Sequence, residues 1–342
     1  MAPKLQLPQS RMGRSLLGAS LLQAVIVVVL EAIVAAIVMP NIDTQNVNDP
    51  NRGVPVYMLI FVASQVWNMY LSWDAILKQN TIQLIAFVAF NACTFAYSLF
   101  QFRQVTRQEI TNGPLLIVIP VVLGVFTIIF AALAYKLYLE FGWKIYKKIG
   151  ADPNMKNMFR LYQVFLTLLK VDVFFMMAFS VQYLVLVLRA EDYEFGVTIA
   201  AVPLTLFTIL VAVYGLRRES KKLMAVFLIS LLVGIVYFVF KIVRIWTLNR
   251  ERLYGTQLFL TFFGPRRIKK WVEKQAGGHW NSLPRAFRFI ASLSLAMLVL
   301  TLINSVMCYF NFGKGLKTHI TTRAQAVPHV SQLATERTTA MT

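Results

Sequence analysis

The sequence predicts an all-α fold, a polytopic transmembrane helix bundle of seven to eight spans. Three observations predict it. Of 342 residues, 58% are hydrophobic and only 14% charged, with a mean hydropathy of +0.62, more apolar than an ordinary globular domain. Several runs exceed the roughly 18 apolar residues that read as a membrane span. Lys and Arg collect where those runs end, as they do in loops beside a membrane.

Eight runs qualify: 16–39, 54–76, 81–102, 114–140, 162–188, 194–216, 222–246 and 286–311. The first follows Lys4, Arg11 and Arg14, but it is too long for a signal h-region and lacks a clear cleavage site, so it reads as a retained span. The second is interrupted by Gln65, Asn68 and Ser72; with it the count is eight, and without it seven. The fifth, 162–188, contains "LTLLKVDVFFMM", which sets Lys170 and Asp172 inside an apolar run. The acidic turn "RAEDYE" precedes the sixth span and the basic "RRESKK" lies between the sixth and seventh. Residues 1–15 read as a cytosolic N-terminal segment and 16–317 as a single bundle. The Thr-, Ala- and Gln-rich tail, 318–342, has no apolar periodicity and reads as disordered. No internal repeat is evident.

With a cytosolic N-terminus, seventeen Lys and Arg fall on the cytosolic side, fourteen on the other, and three (Lys136, Lys170, Lys241) within spans. The rule holds through six spans and fails at the loop after the seventh. There "GPRRIKKWVEKQAGG" reads as a basic amphipathic loop over 265–285, whose Arg266, Arg267, Lys269 and Lys270 suit anionic lipid head groups of a cytosolic leaflet. Eight full spans put it on the opposite side.

The net charge of +19 resides at span ends with no nucleic-acid motif beside it, so nucleic acid is not an expected partner. Cys93 and Cys308 both lie in apolar runs and no glycosylation sequon occurs, which excludes a disulfide-bonded, glycosylated ectodomain. There is no Gly-x-Ser-x-Gly elbow, no Walker or Rossmann glycine pattern, and no metal spacing among the three histidines, which all lie in the last loop or the tail. The expected sets of catalytic residues, metal ligands and cofactors are therefore empty. A retinal pump is excluded because span 286–311 holds no lysine.

Ionisable residues inside a membrane are costly and mark sites by default. They are Glu31, Lys170 and Asp172. Positions i and i+2 of a helix lie about 200° apart, so Lys170 and Asp172 must meet different neighbours. At about 1.5 Å rise per residue, Lys170, Asp172, Gln65, Asn68, Asn91, Thr208, Ser230 and Asn304 fall within roughly 10–16 Å of the cytosolic end. This is a polar belt, with Lys170 snorkelling toward Asp74. The belt serves either as interhelical hydrogen bonding or as a path for a small solute or ion. Glu31 sits higher, isolated from it.

Five stretches, "DAILKQNTIQLIAFVAFN" (74–91), "YQVFLTLLKVDVFFMMAFSVQYLVLVL" (162–188), "RRESKKLMAVFL" (217–228), "LTFFG" (260–264) and "NFGKGLK" (311–317), together resemble the uncharacterised fungal Golgi-apparatus membrane protein family. The resemblance implies a multi-spanning fungal endomembrane protein and carries over no catalytic residue. In such proteins the "LTFF" stretch is expected to run almost directly into the last helix; here 265–285 intervene, as a lineage-specific insert or a gene-model artefact. The expected function is a non-enzymatic role in trafficking, scaffolding or cargo handling, with the lipid bilayer and membrane proteins as partners. The alternatives are a transporter or channel using the belt, and a seven-helix receptor.

Overall fold

The computed structural model describes residues 10–41, 54–106, 113–149, 153–186, 193–248 and 285–312. These form eight α-helices: α1 (Arg11–Val38), α2 (Val54–Leu77), α3 (Thr81–Thr106), α4 (Gly113–Ile149), α5 (Pro153–Leu186), α6 (Tyr193–Arg218), α7 (Lys221–Leu248) and α8 (Arg285–Asn311), with a short 3-10 turn at Met39–Asn41. No strand occurs among the described residues. The protein is a helical membrane bundle. Seven of the helices are long and apolar enough to cross a bilayer. The remaining helix, α2, has 24 residues and buries Ser64, Gln65, Asn68, Ser72 and Asp74. Six of the eight predicted runs lie wholly within these helices; 16–39 ends one residue into the 3-10 turn, and the last two residues of 162–188 lie outside the described residues. Residues 11–15, read as part of an N-terminal segment, are the first turns of α1. The basic loop residues Arg266, Arg267, Lys269 and Lys270 and the tail 318–342 lie outside the described residues.

Neighbour order divides the bundle in two. Helix α1 packs on α2, α2 on α3, α3 on α4, and α4 returns to α1. In the same order α5 packs on α6, α6 on α7, α7 on α8, and α8 on α5. Each ring is an up-down four-helix unit, and the two meet where α5 packs on α2 and α3, and α8 on α3.

The second turn of each ring repeats in atomic detail. After α2, Gln79 takes a left-handed φ of 49°, Asn80 N–H bonds Ala75 O at 3.0 Å, and Gln79 N–H bonds Ile76 O at 3.3 Å. After α6, Glu219 takes φ 50°, Ser220 N–H bonds Gly215 O at 3.0 Å, and Glu219 N–H bonds Leu216 O at 3.2 Å. Both satisfy the last helical carbonyls in the Schellman manner. In the first, the Asn80 side chain then caps α3, accepting from Ile82 N–H at 3.0 Å and Gln83 N–H at 3.2 Å.

Helix direction follows from cross-contacts. Ser10 caps α1 and donates to Glu140 of α4 at 2.7 Å, so the start of α1 and the end of α4 share one face. This near face also holds the 78–80 and 219–220 turns. Helix α8 runs antiparallel to α5: Ser294 bonds Phe175 O, Thr301 bonds Asp172, and Cys308 bonds Leu161 O. Helices α7 and α8 therefore leave and re-enter at the far face.

The seam between the rings is aromatic. Phe174 of α5 meets Phe90 of α3 edge-on at 4.9 Å and Trp67 of α2 at 6.0 Å, and Phe175 lies 5.8 Å from Phe90. Offset and edge-on pairs of this kind contribute beyond their buried area. In lipid, where helix faces gain little from apolar burial alone, such packing and interhelical hydrogen bonds hold the bundle.

Candidate functional site

The intramembrane polar residues sort into separate groups. At the near end, Lys170 of α5 is ion-paired to Asp74 of α2, and its Nζ also donates to Gln83 Oε1 of α3 at 2.5 Å. Lys78, one turn beyond Asp74, adds a second ion pair at 2.6 Å. Gln83 is anchored in turn by donating to Leu71 O at 3.2 Å. One carboxylate thus serves two ammonium groups, and the lysine joins the two rings.

Deeper in, the first ring holds a cluster of amides. Gln23 Nε2 of α1 donates to Gln65 Oε1 at 3.0 Å and to Asn91 Oδ1 at 2.8 Å. Asn68 Nδ2 of α2 donates to the same Asn91 oxygen at 2.8 Å, and Asn91 Nδ2 donates to Thr127 Oγ1 of α4 at 2.8 Å. Asn91 is fully buried and bonds directly to α1, α2 and α4. Ser20 and Ser72, 3.1 Å apart, bridge α1 and α2 between this cluster and the near face.

At the far end Gln101 Nε2 of α3 donates to Glu31 Oε1 of α1 at 2.5 Å. Tyr97, one turn before Gln101, donates to Tyr57 O at 3.5 Å.

The second ring contributes differently. Asp172 accepts from Thr301 Oγ1 of α8 at 2.5 Å and does not reach the amide cluster. It points away from Lys170, as the helical angle between them requires. Asn304 is buried on α8 and accepts from Cys308 Sγ at 3.7 Å, a thiol contact within its own helix. Thr208 and Ser230, placed in the belt by depth alone, are half-buried and make exposed bonds to their own helix carbonyls, Leu204 O and Val226 O, at 2.8 and 2.9 Å. Depth fixes a residue's height on a helix but not the face it occupies, which is why these two were included. Lys241 of α7 is buried with its ammonium 4.5 Å from the Tyr183 ring and 5.3 Å from Tyr237, within cation–π reach of both.

The belt is therefore the core of the first ring plus Lys170, rather than a layer through all eight helices. Sequence reasoning missed Gln23, Gln83, Gln101 and Thr127. Three of them are uncharged amides, and each lies one or more helical turns from a residue that was identified. Their spacing was the available signal: Ser20, Gln23, Val27 and Glu31 fall at i, i+3, i+7 and i+11, one face of α1, and all are buried.

A small cavity of about 20 Å³ opens at the seam, lined by Phe61, Phe90, Cys93, Tyr97, Phe174 and Phe175 among others. It has room for a water-sized molecule and does not include Lys170, Asp172 or the amide cluster. Among the described residues no three His, Cys, Asp or Glu side chains gather as metal ligands would.

Residues 149–268, from the end of α4 through α7, match a family described as a domain of unknown function, DUF7789. A UPF0658 Golgi apparatus membrane protein of Schizosaccharomyces pombe is 25% identical over 303 residues, with 78% of each chain covered. This chain is a relative of the uncharacterised fungal Golgi-apparatus membrane proteins. The relationship extends well beyond the DUF7789 segment, over most of both chains. No solved structure matches.

Proposed function

We propose that this relative of the fungal Golgi membrane proteins is itself a non-enzymatic Golgi or endomembrane protein acting in trafficking, scaffolding or cargo handling. The S. pombe relative, a Golgi apparatus membrane protein, supports the compartment. The near face carries exposed Lys78, Arg217, Arg218, Lys221 and Lys222, which supports a cytosolic near face and hence a cytosolic N-terminus. Those cations suit anionic lipid head groups or acidic segments of partner membrane proteins.

One observation carries the reading. The amides of α1, α2 and α3 bond one another, and Asn91, the shared partner, also reaches the Thr127 hydroxyl of α4. Side chains so joined hold helices in fixed register, as a scaffold needs. A receptor of seven helices would require α2 outside the bundle, whereas α2 packs on α1 and α3 and supplies Asp74 to Lys170.

Transport is the second reading, favoured by two buried acids, Glu31 and Asp172, each with one carboxylate oxygen lacking any hydrogen-bond partner. Single cysteines at Asn68 and Asn91, with Cys93 and Cys308 replaced, separate the readings by reaction with a membrane-impermeant thiol reagent. A dry core leaves both unreactive while loop controls label. Labelling at both positions puts water in the ring and replaces the scaffold reading with transport.

A further inference from the structure

The outer edge of the α2–α5 seam sets excess positive charge above an apolar strip. Helix α2 and the residue after it place Trp67, Tyr70, Asp74 and Lys78 at i, i+3, i+7 and i+11, along one side. That side meets α5: Lys170 is ion-paired to Asp74, and the Trp67 ring lies 5.2 Å from Tyr70 and 6.0 Å from Phe174. Asp74 brings one negative charge to two ammonium groups, since Lys78 holds its other oxygen at 2.6 Å. The three side chains together keep one positive charge in excess. Lys78 is exposed and Lys170 partly so. Helix α3 packs on both α2 and α5 and closes the inner side of the seam. On the outer side Val66 and Tyr70 of α2 are exposed, as is Met177, two turns beyond Lys170 on the same side of α5. All three lie one or more turns deeper in the membrane than the cations.

We infer that this edge binds one anionic phospholipid, its phosphate at Lys78 and Lys170 and an acyl chain laid over Val66, Tyr70 and Met177. The inference deepens the reading above, in which near-face cations meet anionic partners, and rests on the near face lying at head-group depth. Charge selects the head group. One excess positive charge matches a net charge of −1, whereas a zwitterionic head group leaves it unbalanced. An ammonium has three donors; Asp74 and Gln83 take two from Lys170, which leaves one for a phosphate oxygen. The apolar strip selects lipid over other anions, because a free phosphate or an acidic peptide gains nothing from Val66 and Met177. Tyr70 suits the boundary between the two zones, with an apolar ring and a polar tip.

The test is native mass spectrometry of the delipidated full chain in neutral detergent, titrated with dioleoylphosphatidylinositol or dioleoylphosphatidylcholine. The first phosphatidylinositol should bind about fivefold more tightly than phosphatidylcholine, the effect of about one cation at an anionic surface. Lys78→Gln leaves Lys170 and Asp74 balanced and should lose that preference, while Lys78→Arg keeps it. Tyr70→Ala should weaken both lipids alike. A variant with Arg217, Arg218, Lys221 and Lys222 all changed to Gln should keep the preference, since these cations lie on the α6–α7 turn. Equal affinity for the two lipids in the wild-type protein, or an unchanged preference in Lys78→Gln, overturns the site. Loss of the preference in the α6–α7 variant alone also overturns it, by moving the lipid to that turn. Displacement of the lipid by inorganic phosphate or by a glutamate-rich peptide overturns it in favour of an anion or protein site. None of these outcomes depends on thiol labelling at Asn68 and Asn91, so this inference and the scaffold reading can fail separately.

Discussion

Lys170 and Asp74 form an ion pair across the boundary between the two four-helix rings, with Gln83 accepting from the same ammonium. The pair is mostly buried, with side-chain exposures of 17% and 11%. Lys78 binds the other oxygen of Asp74 from a more exposed position.

Replacing Lys170 by Leu leaves Asp74 with Lys78 alone and Gln83 Oε1 without its donor. A loss of about 3 kcal/mol is expected, the lower end for breaking a buried pair, because Lys78 still offsets part of the charge. Lys78→Ala should cost no more than about 0.5 kcal/mol. Unfolding of Lys170→Leu, Asp74→Leu and the double variant in mixed micelles reads the coupling. Additive losses would mean that the pair does not join the rings.

Asn91→Leu removes the acceptor shared by Gln23 and Asn68 and the donor to Thr127. Interhelical bonds in membranes contribute about 0.6 kcal/mol each on average, and stranding three partners should cost about 2 kcal/mol in total. Thr208→Ala and Ser230→Ala, which remove hydroxyls bonded within one helix, should stay within about 0.5 kcal/mol. Equal losses at all three positions would contradict the distinction between ring core and outer face.

Gly215 marks the tightest approach in the 219–220 turn. A Cβ there would come 2.9 Å from Leu223 Cβ, whereas one at Gly234 meets nothing within 4 Å. Gly215→Ala should therefore destabilise by about 1–3 kcal/mol through overpacking. Gly234→Ala should be neutral or stabilising, since a helix favours Ala by about 1 kcal/mol. Thermal shifts of the two purified variants check this, and tolerance at Gly215 would show that the turn opens freely.

Gln79 and Glu219 hold left-handed backbones that L-residues with a Cβ adopt at a cost. Gln79→Gly and Glu219→Gly should each raise stability by up to about 1 kcal/mol, and similarly, because the two turns share one geometry. A gain at one and a loss at the other would show that the two turns are not equivalent.

The sequence by itself determined that this is a polytopic helical membrane protein. Length, apolar runs and flanking Lys and Arg are local properties, and each predicted run overlaps one helix over nearly its whole length. It also determined that Lys170 and Asp172 must face different neighbours, which follows from the pitch of one helix. It supplied the resemblance to the fungal Golgi family, since that lies in strings of residues.

Only the tertiary structure decided which polar residues meet. A helix's own residues fix heights along its axis; its rotation about that axis is set by packing against neighbours. That is why Thr208 and Ser230 turned outward while Gln23 and Thr127, unremarkable in the sequence, joined Asn91. The repeated ring order was invisible for a related reason: neighbour order and turn geometry can recur without recurring residues. The Gln79 and Glu219 turns share their hydrogen bonds, which come from the backbone, and not their side chains. Whether Asp74 paired with Lys78 alone or reached Lys170 across the seam depended on the approach of α5 to α2, a contact between segments distant in the chain.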